Sequence, residues 1–302
     1  MPNDREDSLL RTIAWYMTIG YPPLREEIWQ DVEEKKEASR HEYETTLDHL
    51  ITNKRVTLEY GRVILPGFET LLDERARRAR IFPRKWARVQ QVARWLRWIP
   101  SVRFVAIGNT VALGSSRDEG DIDLFVVTRF GTLWLTRGLL TLVATLLRRR
   151  PGQRNGERDA WCFSFFIDDS DLALERFTIQ PRDPYLAFWI RHLVPVLDDG
   201  IGTELWNAQS WAWIDRPWAR RWLSWKTVTA RANLVPAWLS SIDRMAFRAQ
   251  KRFGSRALWQ AAERQNTHVV LTPHICKTHL DDRREALRSQ YEKLCASLGI
   301  TS

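Results

Sequence analysis

Two aspartates, Asp121 and Asp123, stand two residues apart at the head of a short apolar run, residues 122–127. Side chains on a strand alternate faces. A strand here therefore sends both carboxylates out of one face, while Ile122 and Leu124 point into a core. Two carboxylates held that close repel each other unless a cation lies between them, and oxygen donors suit a hard divalent ion such as Mg²⁺ or Mn²⁺. Such an ion calls for an anionic partner. Upstream, a second apolar run at 104–107 stops at Gly108 and Asn109, and Ser115, Ser116 and Arg117 follow in the connection. Glycine permits a tight turn and close backbone approach. With Asn109 and Ser115 it offers donors for the phosphates of a nucleotide, and Arg117 offers charge for a leaving group. Together these features describe metal-assisted phosphoryl or nucleotidyl transfer. The plainer reading, in which Asp118, Glu119, Asp121 and Asp123 only solvate a loop and a strand start, leaves the glycine turn at this distance without a purpose.

The order strand, Gly turn, loop, two-Asp strand resembles the nucleotidyltransferase superfamily that includes DNA polymerase beta. Its signature is an apolar residue, Gly, then Gly or Ser, a spacer of about ten residues, and Asp-apolar-Asp/Glu-apolar. Here the corresponding residues are Ile107-Gly108-Asn109, eleven spacer residues, and Asp121-Ile122-Asp123-Leu124, with Asn109 departing from the pattern. The resemblance implies an α/β nucleotidyltransferase core, a small mixed sheet with helices. It also implies Mg²⁺ or Mn²⁺ on Asp121 and Asp123, and an NTP cradled by Gly108, Asn109, Ser115 and Arg117. In that superfamily a third carboxylate on a following strand takes the proton of the attacking hydroxyl. The strand expected at 161–167 carries Ser164 at its middle, with Asp159 before it and Asp168 and Asp169 after it. No acid is therefore expected at the third position, and turnover is expected to be slow. The residues Trp206-Asn207-Ala208-Gln209-Ser210-Trp211 resemble a helix of bacterial proteins that join a winged helix to this core. The functional expectation is transfer of an NMP from NTP to an acceptor. The alternative is a nucleic-acid-binding or regulatory protein whose core binds nucleotide with weak or no turnover.

The elements that must position these residues follow from the periodicity. Residues 8–18 carry apolar side chains at helical spacing, a second helix follows Pro22 and Pro23, and a third starts at Ser39 with Glu42 in capping-box register. Runs at 56–59 and 62–65, joined by Tyr60 and Gly61, read as a hairpin. Three helices and a hairpin in residues 1–68 resemble a winged helix, although the third helix holds Glu42, Glu44 and Asp48 beside Arg40 and is a poor surface for phosphate. Residues 69–100 read as a basic helical linker of two helices broken at Pro83. Arg75, Arg77, Arg78, Arg80, Arg84, Lys85, Arg88, Arg94 and Arg97 interleave there with Trp86, Trp95 and Trp98, a face able to contact RNA or DNA backbone. Residues 101–180 then form the core and 181–302 a helical C-terminal domain. Within the core, residues 131–147 read as a buried helix, because Arg137 near the middle argues against a membrane span. A polar loop is expected over 148–159.

At 302 residues and 44% hydrophobic, the chain can bury real cores, which excludes a disordered chain. A formal charge of +9 favours an acidic partner. Cys162, Cys276 and Cys295 are odd in number and far apart, so no disulfide framework is expected. With a polar first ten residues, this points to a cytoplasmic setting. His268, His274, Cys276 and His279 cluster in sequence, but their spacing fits no closed zinc module and ordinary roles are expected.

Overall fold

Three helices, α1 (Pro2–Thr18), α2 (Arg25–Asp31) and α3 (Arg40–Thr52), lead into a hairpin of β1 (Thr57–Glu59) and β2 (Arg62–Ile64). The computed structural model describes residues 2–33, 39–152, 158–216, 227–229, 235–264 and 266–302. Helix α3 starts where Ser39 accepts from the Glu42 amide and Glu42 accepts from the Ser39 amide, the reciprocal cap expected from the sequence. Tyr60 and Gly61 both take positive φ at the hairpin turn, the backbone a tight two-residue loop demands.

A single helix, α4 (Thr70–Leu96), follows where two were expected. Pro83 and Ala79 are both exposed, on the solvent side where water can take the place of the missing N–H donor, and the helix continues through the proline. Its buried stripe of Val89, Val92, Ala93 and Leu96 packs against the central sheet.

That sheet is built from β3 (Val102–Ile107), β4 (Ile122–Thr128), β5 (Trp161–Asp168), β6 (Val194–Asp198), β7 (Val228–Thr229), β8 (Val269–Thr272) and β9 (Ile275–Thr278). Their order is β7-β6-β3-β4-β5-β9-β8. Pairing is antiparallel between β3 and β4 and parallel between β4 and β5, so the sheet is mixed. The short helix α5 (Asn109–Ala112) connects β3 toward β4, and α6 (Leu133–Leu146) carries the chain from β4 to β5. Strand β3 is buried along nearly its whole length because helices cover both faces: α4 and α6 on one, α7 (Pro184–Arg191) and α8 (Gly202–Asn207) on the other.

The helical C-terminal domain expected over 181–302 is corrected by this sheet. Helices α9 (Leu239–Phe253), α10 (Arg256–Glu263) and α11 (Arg284–Ser297) are present, but the same region supplies β6, β7, β8 and β9. A strand at Val194–Asp198 satisfies the backbone of β3 on its free side, and Pro195 lies beside a register break opposite Ala106, where a missing N–H is tolerated. Helix α6 is also less enclosed than expected. Leu133, Trp134, Leu140 and Ala144 are buried, while Leu139, Leu142 and Leu146 are exposed. Among the described residues no helix is long and apolar enough to cross a membrane. Of the polar loop expected at 148–159, residues 153–157 lie outside the described residues.

The far end of the chain returns to its beginning. Tyr291 and Cys295 of α11, with Ile300, share one apolar cluster with Leu9, Ile13, Trp15, Leu47 and Leu50, and Tyr291 meets Trp15 edge to face at 5.4 Å.

Candidate metal and phosphate site

At the head of β4 the parallel register sets Ile122 opposite Trp161 and Asp123 opposite Cys162. The next aligned pair is Phe125 with Phe165, two residues along β4 but three along β5, so β5 carries an irregularity between them. This places Cys162, not Ser164, beside the aspartates. The ligand atoms of Asp121, Asp123 and Cys162 all lie within 4.8 Å of one another. Ser164 falls in the irregular stretch, and its hydroxyl meets His279 Nε2 at 3.3 Å. Burial first, then the charges of Asp123 and Asp121, push the Cys162 thiol up, so with no cation present it is neutral at physiological pH. Where Ser164 was expected to stand beside the aspartates, the third member of the group among the described residues is the Cys162 thiol.

The turn before α5 is tied to the same aspartate. The Gly108 amide donates to the Asp123 carbonyl at 3.2 Å, and the Asn109 Nδ2 donates to Asp123 Oδ2 at 2.6 Å. Asn109 sits at φ 55°, a left-handed conformation that asparagine adopts more readily than most residues. Its Oδ1 accepts from the Tyr185 hydroxyl at 2.7 Å, and burial followed by the Asp123 charge keeps that phenol protonated and donating. A shorter side chain at 109 could not bridge Tyr185 and Asp123, which gives the departure from Gly or Ser a local reason. Gly108 is required for space: a Cβ there would meet Trp189 Cε2 at 3.1 Å and Nε1 closer still. The Trp189 ring is itself stacked on Phe165 at 5.7 Å. Of the other two candidate phosphate ligands, Ser115 is buried, with a hydroxyl that has no partner among the described residues, and Arg117 is exposed.

Helix α4 fixes the acidic loop from beneath. Lys85 is 0% exposed, and its Nζ donates to the Gly120 carbonyl and to Asp159 Oδ1 at 3.2 Å. Arg84 reaches Asp118 and, at 3.1 Å, the same Asp159 oxygen. Asp159 is thus held by two cations, which outweigh its burial and keep its carboxyl below the usual carboxylate range. At the other end of β5, Asp168 binds His274 at 2.7 Å and the Ser170 hydroxyl. Neither acid joins the Asp121, Asp123 and Cys162 group.

Several of the basic residues on α4 are engaged internally. Arg75 donates to the Gly114 carbonyl at 2.9 Å and lies over the Tyr21 ring, and Arg78 pairs with Glu74. Arg77, Arg80 and Arg94 are exposed. The histidines and cysteine near the C-terminus form no metal group among the described residues. Cys276 is buried, and burial with the Lys277 charge pushes His279 down to about 4. Sequence reading missed Cys162, Lys85, Tyr185 and Trp189 because each reaches the site through tertiary packing and carries no local spacing signal. Comparison with protein-family models, with curated proteins and with solved structures finds no match to this chain.

Proposed function

We propose that the protein is a metal-dependent nucleotidyltransferase that moves an NMP from NTP to an acceptor hydroxyl. The observation that carries this reading is the convergence of Asp121 and Asp123 on one face beside the Gly108 turn, with Asp123 hydrogen-bonded to Asn109. The donor chemistry fits a divalent cation, Mg²⁺ or Mn²⁺, on the two carboxylates, and such an ion when bound neutralises phosphate charge and aligns the reacting oxygens for in-line displacement.

The chain's own residues do the rest. Asn109, clamped by Tyr185, fixes the rotamer of Asp123, and Lys85 fixes the backbone that carries Asp121 through Gly120. Arg117, exposed on the loop between the turn and β4, supplies a positive charge for the polyphosphate, and the Ser115 hydroxyl is buried and must be uncovered before it can donate to it. In the transfer the acceptor oxygen bonds to the α-phosphorus, the α–β bridging P–O bond breaks, and its electron pair leaves with pyrophosphate. The acceptor proton finds no carboxylate at the third position, so an acceptor that ionises readily, or slow turnover, is expected. Incubation with labelled NTPs, Mg²⁺ or Mn²⁺ and total RNA or lysate tests the reading. Label should move to an acceptor with wild-type protein and not with Asp121→Asn or Asp123→Asn; no transfer with any NTP would overturn it.

The thiol at Cys162 favours a second reading, a nucleic-acid-binding or regulatory protein whose core holds nucleotide without turning it over. Nucleotide binding that depends on Asp123, with no label transferred, would select it.

A further inference from the structure

We propose that Asp121, Asp123 and Cys162 together form a single site for a thiophilic divalent cation of the Zn²⁺ and Co²⁺ class, with an exchangeable fourth position. This deepens the reading of the aspartate pair as a metal site and rests on it.

Donor type and reach both point to such an ion. Asp123 and Cys162 are direct partners on adjacent parallel strands, so their side chains leave the same face of a rigid sheet. At the tetrahedral angle, Zn–O and Zn–S bonds of roughly 2.0–2.3 Å set two donors on one ion about 3.3–3.8 Å apart. The ligand atoms here, all within 4.8 Å of one another, close by about 1 Å through rotation of the carboxylates and of the Cys162 χ1. All three residues are only partly buried, which leaves a side open for exchangeable ligands, whereas Cys276 and Cys295 are buried in apolar clusters. Two carboxylates alone select Mg²⁺ or Mn²⁺; a thiolate added to them shifts preference toward softer ions, because Mg²⁺ gains almost nothing from sulfur. Three protein ligands with one position left to water or substrate is the arrangement of catalytic rather than structural zinc sites. On binding, the metal–sulfur bond replaces the Sγ–H bond and the proton passes to buffer.

Chelator-treated full-length protein titrated with Co²⁺ tests this without any turnover assay. One equivalent should produce the near-ultraviolet sulfur-to-cobalt charge-transfer band, Zn²⁺ should bleach it stoichiometrically, and excess Mg²⁺ should not. Cys162→Ser should abolish the band and weaken Co²⁺ binding by about 10-fold or more. Cys162→Asp should bind Co²⁺ without the band and bind Mg²⁺ more tightly than wild type. Circular dichroism of each variant reports folding. Co²⁺ binding that depends on Asp123 yet shows no sulfur band would overturn the thiolate site and leave the carboxylate pair standing. A band that survives Cys162→Ser would overturn it as well. Binding of Co²⁺, Mn²⁺ and Mg²⁺ unchanged in Asp123→Asn would overturn the metal reading of the pair itself.

Discussion

Replacing Lys85 with Met keeps an unbranched apolar stem one atom shorter and removes the charge. Two partners lose their donor at once: the Gly120 carbonyl and Asp159 Oδ1. Breaking a buried ion pair by deleting one partner costs roughly 3–5 kcal/mol, because the other charge is left uncompensated. Arg84, about one-third exposed, still reaches Asp159, and the Asp159 amide still donates to Gly120, so the lower end applies, about 3 kcal/mol. Urea unfolding should show the midpoint falling with an unchanged m-value. A cycle with Asp159→Asn should return a coupling of about 1–2 kcal/mol, since the two residues touch. Gly120 directly precedes Asp121, so the same substitution should also weaken divalent-ion binding about 10-fold. A stability change under about 0.5 kcal/mol, the size of an ordinary surface substitution, would refute the view that α4 holds the acidic loop in place.

Other substitutions test separate links. Gly108→Ala drives a methyl into Trp189 and should cost about 1–3 kcal/mol in urea unfolding, with Gly108→Ala/Trp189→Leu recovering part of it; a neutral Gly108→Ala would show that the indole moves freely. Asp31 lies buried among Arg191, His192 and Tyr16; burial alone would raise its pKa, but His192 and Arg191 outweigh it and hold the carboxyl well below the usual range. A depressed carboxyl contributes stability above the unfolded pKa of about 3.9 and loses it as pH falls below that value. Asp31→Asn should therefore cost about 3–5 kcal/mol at pH 7, with the gap to wild type closing below about pH 4; a gap that stays constant with pH would refute the assignment. Replacing the exposed Arg77, Arg80 and Arg94 with Ala should reduce the salt slope of single-stranded RNA binding by about 0.7 for each phosphate no longer neutralised, and an unchanged slope would mean that this face is merely hydrated.

What could be read in advance was local. Asp121, one residue before β4, and Asp123 come close together as a period-two reading expects, and the hairpin at Tyr60 and Gly61 follows from turn chemistry, so neither needs knowledge of distant residues. Cys162 escaped because its position depends on register: one extra residue in β5 between Cys162 and Phe165 shifts which side chain stands beside Asp123, and nothing in the run 161–167 marks that irregularity. The strands after residue 190 were hidden for other reasons. Val194–Asp198 contains Pro195 and directly continues a helical pattern, while β8 and β9 are only four residues each. Their strand character comes from pairing with β3 and β5, which is tertiary context overriding local preference. The basic stretch on α4 was visible as charge, but its inward half was not, since a Lys buried against a carbonyl and a carboxylate looks in sequence like any other Lys.

The cluster shared by α1 and α11 has a consequence for how the protein is made. Leu9, Ile13 and Trp15 leave the ribosome before Tyr291, Cys295 and Ile300, which complete their packing and follow nearly 300 residues later. At roughly 5–20 residues per second, the nascent N-terminal helices wait some tens of seconds with part of their apolar surface uncovered. During that interval they are a natural target for chaperones that hold emerging chains, and nonsense or frameshift products lacking the last turns of α11 should be recognised and degraded even though their sheet is complete.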